Sequence, residues 1–245
     1  MRLDRTSNPV FNSALFKDAT AGATQEVMTI GSTVNKAILL ALITFFTAIF
    51  SWKLAMVGRG AGLVWVGVIG GLITGMITVF KMEWAHITGP LYAAFEGLFL
   101  GYISFIFNAA FHGIVIKAVL LTFGVMFTVL FLYRLGVLRA TPGFVKWLIV
   151  ATGGIAVYYL IAIILSFFHI NIGTEALGGW GIGIQLFIVA IAALNFVLDF
   201  NMIEQGSAQG APKQLEWYAA FGLMVTLIWL YIEILRLLAI LSNRN

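Results

Sequence analysis

No cysteine occurs among the 245 residues. That excludes a disulfide framework, a thiol nucleophile and a thiolate metal site. Charge is nearly as scarce: only 10% of the residues are Asp, Glu, Lys or Arg, against roughly 25% in a soluble domain. The signatures of common catalytic sites are also missing. The chain has no H-x-x-x-H, no G-x-S-x-G and no glycine-rich phosphate loop. Ser104, Ser166 and Thr226 could serve as hydroxyl nucleophiles, but none has a histidine nearby in the pattern that would act as its base. His86, His112 and His169 fall singly at the ends of apolar runs, far apart and without ligand spacing, as interfacial residues do. The expectation is a chain that is not an enzyme and carries no cofactor.

Hydrocarbon dominates instead. The chain is 61% hydrophobic, with a mean hydropathy of +1.02. Seven apolar runs approach the roughly 20 residues that cross a bilayer: Ala37–Trp52, Ala61–Phe80, Pro90–Ala110, Ile114–Leu132, Trp147–Phe168, Trp180–Ile203 and Tyr218–Leu241. The expected fold is an all-α, polytopic membrane protein with seven transmembrane helices. The first run is short, with Lys36 and Lys53 snorkelling outward from its ends. Residues 1–36 form a polar segment too short to bury a core of its own. Residues 37–241 form one transmembrane domain, and 242–245 a short tail. No apolar stretch follows closely on the start as a cleavable signal requires, so the first run is expected to be a retained anchor.

The sequence pI near 9.4 does not point to nucleic acid, because the basic residues lie singly between apolar runs, as loop anchors do. With the N-terminus inside, the cytoplasmic side holds Arg2, Arg5, Lys17, Lys36, Lys81, Arg134, Arg139, Lys146 and Lys213. The other side holds Lys53, Arg59, Lys117, Arg236 and Arg244, so the bias is nine against five. The expected orientation is N-terminus in and C-terminus out. Gly67, Gly71 and Gly75 recur every four residues in the second run; Ala93, Gly97, Gly101 and Ser104 form a similar stripe in the third. Such stripes let helix backbones approach closely, and packing is the reading taken for both.

Seven of the ten acids fall in loops or tails; Glu96, Asp199 and Glu233 do not. Ionisable residues at membrane depth are costly, face the bundle interior or a water-filled cavity, and are functional candidates by default. In the sixth run Gln185, Ala192, Asn195 and Asp199 fall within one arc of roughly 80°, which should face inward. In the seventh, Gly222, Thr226 and Glu233 share a face, and Arg236 lies one turn beyond Glu233. Structural roles compete with functional ones at each acid. Glu233 can be an ion pair with Arg236, Asp199 a helix-end carboxylate among headgroups, and Glu96 an acid in the opening turn of its helix.

The order of these motifs resembles the Bax inhibitor family, the transmembrane Bax-inhibitor-motif proteins that include the bacterial YccA-like ones. The resemblance lies in "VLDFNMI" closing the sixth run, "LYIEILRLL" in the seventh, and "RTSNPVF", "GPLYAAFEGLFLG" and "GIVIKAVLLTFGV" before them; it covers Arg5 to Leu241. It implies six helices around a central seventh, and a pH-sensing acid pair that gates a calcium leak. Carried onto this chain, the pair is Asp199 and Glu233, which the resemblance implies as calcium ligands. The chain departs from the family pattern in having Glu at 233 rather than Asp and Leu198 in place of a tyrosine, and in a segment between the acids about ten residues longer than usual. At ~1.5 Å per residue the two acids could differ in depth by roughly 10–20 Å, which matches Asp199 better with Glu96, or with Lys81 as a lock. Both pairings stay open. Two carboxylates in one dry site titrate as a coupled unit, and deprotonated they offer hard oxygen ligands to calcium. Asn195 and Gln185 would help complete its shell. The implied partners are the bilayer, protons and calcium, in a bacterial inner membrane. The alternative is an adaptor that modulates a membrane-embedded partner such as a protease.

Overall fold

A computed structural model describes residues 26–170, 172–174 and 179–243. The "RTSNPVF" stretch, the loop acids Asp4, Asp18 and Glu175, and Arg2, Arg5, Lys17 and Arg244 lie outside the described residues. Among the described residues there are seven long helices and no strand: α1 (Ile30–Met56), α2 (Ala61–Phe80), α3 (Ala85–Ala110), α4 (Ile114–Arg134), α5 (Pro142–Ser166), α6 (Gly179–Ala208) and α7 (Leu215–Ser242). All seven are long and apolar enough to cross a membrane.

Most helices run past the apolar stretches that announce them. α1 starts at Ile30, not Ala37, and has 27 residues. The apolar run breaks at Lys36, but that lysine does not snorkel outward. Its ammonium pairs with the fully buried Glu216 of α7 and lies 5.5 Å from the Trp217 ring. Thr29 caps the helix, its hydroxyl accepting from the Ser32 amide at 3.2 Å. Glu216 also accepts from the Thr29 amide at 2.9 Å and the Ser32 hydroxyl at 2.7 Å. Just before α1, Met28 donates its amide to the Ala211 carbonyl at 2.7 Å, and Lys213 pairs with Glu26. The Glu26 carboxylate holds the exposed Lys213 ammonium above its usual pKa. The start of α1 is thus fastened to the α6–α7 turn.

Elsewhere the boundaries follow local chemistry. α5 opens at Pro142, which has no amide to leave unsatisfied, behind the Thr141 cap. The three-residue turn between α3 and α4 needs a left-handed residue, and Gly113 supplies it at φ 77°. α3 continues through Pro90 back to Ala85.

α7 packs directly on α1, α3, α4 and α6, while α2 packs mainly on α3 and α5 on α6. The two small-residue stripes act as read. A β-carbon at Gly67 would fall 2.7 Å from the Phe95 carbonyl, and one at Gly101 would overlap the Ala48 backbone. Helix ties accompany these close approaches. The Thr44 hydroxyl donates to the Ala93 carbonyl at 2.9 Å, Ser51 to the Leu98 carbonyl at 2.7 Å, and the Ser104 and Tyr231 hydroxyls meet at 2.6 Å.

Candidate functional site

The seam between α6 and α7 carries two of the three membrane acids, in contrasting surroundings. Glu233 is 2% exposed and fully engaged. Its Oε2 accepts from Gln185 Nε2 of α6 at 2.7 Å and from the Tyr159 hydroxyl of α5 at 2.8 Å; its Oε1 accepts from Trp229 Nε1 at 3.0 Å. Arg236 lies 3.5 Å from Oε2 and donates to the Tyr159 hydroxyl at 2.6 Å. Thr174 closes the group, donating to Gln185 Oε1 at 2.9 Å. Three helices are knotted around one carboxylate, every donor answered.

Asp199 has no such shell. Its Oδ2 is buried without a hydrogen-bond partner among the described residues. Its neighbours on α7 are Gly222, where a β-carbon would stand 3.7 Å from Oδ1, and the Thr226 hydroxyl. The shared face of Gly222, Thr226 and Glu233 is therefore real, but Asp199 meets its lower part and Gln185 its upper part. From Gly222 or Thr226 to Glu233 the helix climbs about 10–16 Å. The α6 arc likewise divides: Gln185 goes to Glu233, whereas Asn195 turns to α5, donating to Thr152 Oγ1 at 3.0 Å.

Glu96 is not in the opening turn of its helix, because α3 begins eleven residues earlier. Its carboxyl is tucked against α2, where a β-carbon at Gly71 would fall 2.7 Å from Oε1, with Tyr92 beside it. Measured along their helices, Glu96 and Asp199 lie at similar depth, but they face different partners. Tyr92 stands beside Glu96 and sets its ring edge-on to Phe221 of α7 at 4.9 Å. Lys81 does not lock Asp199. It is exposed, with its ammonium 4.8 Å from the Trp84 ring.

The hydrogen bonds thus join Asp199 to neither Glu233 nor Glu96. The reason is geometric and electrostatic. The two carboxylates are separated along the seam, and the Glu233 oxygens are already taken by three donors with a guanidinium beside them. Among the described residues no three His, Cys, Asp or Glu side chains gather as a metal site. Tyr159, Trp229 and Thr174 were missed by the sequence reading. Trp229 precedes Glu233 by four residues and was legible as an i, i+4 donor; Tyr159 lies 74 residues away and carried no signal. Beyond the knot a cavity of about 480 Å³ opens at the α5–α6 end, lined by Tyr158, Tyr159, Ser166, His169, Thr174 and Arg236.

A multi-pass integral membrane protein with acids in its helix seams is the class these features define. The family model described as Bax inhibitor 1 like matches residues 8–243, and the chain belongs to that family. No curated protein and no solved structure matches it.

Proposed function

We propose that the protein is a pH-sensitive cation leak, with calcium as its cargo, in which Asp199 is the working acid and Glu233 the fixed tie. The observation that carries this reading is the unpartnered, buried Oδ2 of Asp199. Burying an ionised oxygen without a donor costs several kcal/mol. A proton or a cation at that oxygen removes the cost, so each can alter how α6 meets α7 across Gly222. Glu233 holds the same two helices together farther along, so movement near Asp199 need not unravel the bundle. Hard carboxylate, hydroxyl and carbonyl oxygens suit calcium in transit rather than a closed resident site. In this reading there is no enzymatic step, and the chain lies in a bacterial inner membrane with the start of α1 on the cytoplasmic side.

A second reading, a membrane adaptor that modulates a membrane-embedded partner such as a protease, draws support from the Glu233 knot. In that reading the membrane acids are helix ties, as the bonds from Gln185, Tyr159 and Trp229 to Glu233 would make it. Calcium flux into dye-loaded liposomes, followed between about pH 8 and about pH 5, separates the two. The leak predicts pH-dependent flux that Asp199→Asn alters. If Asp199→Asn and Glu233→Gln both leave flux and its pH dependence unchanged, the gate is refuted.

A further inference from the structure

A second cavity, of about 550 Å³, lies between α1 and α4 and is floored by α3 and α7. We propose that it holds one acyl chain of an anionic phospholipid, with the lipid phosphate on Lys53. Its walls are nearly all hydrocarbon, among them Phe45, Ile49, Met56, Val119 and Phe123. The hydroxyls that line it are all engaged: Ser104 and Tyr231 meet at 2.6 Å, and Thr44 and Thr122 donate to the Ala93 and Ala118 carbonyls. The ligand must therefore be apolar along its length.

Dimensions choose among apolar occupants. Along α1 the lining runs from Ala41 to Met56, about 22 Å of helix. Half the hydrocarbon core is about 15 Å, so the groove reaches from headgroup level to just past the bilayer middle, the reach of one leaflet's chain. Several wall residues, Phe45, Met56 and Phe123 among them, remain exposed, so the groove opens sideways onto the surrounding lipid. A polymethylene chain can enter it directly from the bilayer.

Charge selects the headgroup. Lys53 lines the headgroup end, is exposed, and takes part in none of the ion pairs formed among the described residues. Trp52 beside it is the kind of residue that settles at the interface. An apolar slot ending in a free ammonium is complementary to a lipid whose phosphate headgroup carries net negative charge.

Native mass spectrometry of the full chain, exchanged into detergent with phosphatidylglycerol or phosphatidylcholine of identical acyl chains, tests this. The expected result is one retained lipid per chain, with phosphatidylglycerol preferred about five-fold, as for one lysine near an anionic lipid. Lys53→Gln should bring the preference near unity, and Val119→Trp, which fills the slot, should lower retention of both lipids. Because Lys53 is exposed, its variant keeps the fold and carries the test even if Val119→Trp does not. Equal retention of the two lipids, insensitivity to Lys53→Gln, or a lipid-free dimer would each overturn the proposal.

Discussion

Asp199→Asn and Glu233→Gln remove the same charge from the same helix seam, and the structure predicts that their costs differ. In Glu233→Gln one carboxylate oxygen becomes an NH₂ group. With the amide oxygen kept toward Gln185 and Tyr159, the NH₂ group opposes the Trp229 indole N–H, and Arg236 loses its counter-charge. Interhelical hydrogen bonds in membranes average ~0.6 kcal/mol and reach ~1.7, and bonds to a charged group stand at the upper end. Three weakened bonds therefore cost about 2 kcal/mol. The unpaired guanidinium adds about 1 kcal/mol rather than the full cost of a buried ion, because Arg236 is 33% exposed. The total is about 3 kcal/mol. In Asp199→Asn no donor is lost at Oδ2, since it has none, and the expected cost is about 0–1 kcal/mol. Reversible unfolding in mixed detergent micelles measures both. A difference of about 2 kcal/mol or more, roughly thirty-fold in the folding equilibrium, is expected. Equal losses, or a larger loss for Asp199→Asn, would refute the division into tie and working acid.

Lys36→Met should destabilise the fold by about 3–5 kcal/mol, because it strands a fully buried Glu216 carboxylate. Glu216→Gln should cost less in the same unfolding measurement, since Lys36 can extend toward water. Gly101→Ala drives a methyl into the Ala48 backbone and should lower stability by about 1–3 kcal/mol. Gly153→Ala, with open space beside it, should change the same reading little.

Much of the architecture is written in the hydrophobic pattern, because a membrane span must be apolar over a fixed length whatever it packs against. The runs Ala61–Phe80 and Ile114–Leu132 therefore match α2 and α4 almost to the residue. The pattern misleads where a charge is neutralised by a distant partner. Lys36 ended the first run on paper, but Glu216, 180 residues away, lets α1 run through it. The site follows the same rule. Three acids stood out from their setting alone, and the Gln185 face was readable from its period. Which acid Gln185 would meet was not, since it depends on how far α6 and α7 slide along each other. The pairing of Asn195 with Thr152, 43 residues back, and the setting of Tyr92 against Phe221 of α7 also arise only when the helices pack.

The central claim is that Asp199 is a gate acid rather than a structural one. Its most direct test is calcium flux through the purified chain in dye-loaded liposomes, wild type beside Asp199→Asn at matched folded protein, against empty liposomes. The expected result is flux that changes with pH in the wild type and a changed or lost pH dependence in the variant. No flux above empty liposomes at any pH would contradict it, leaving Asp199 as a lock between α6 and α7 and the chain as an adaptor.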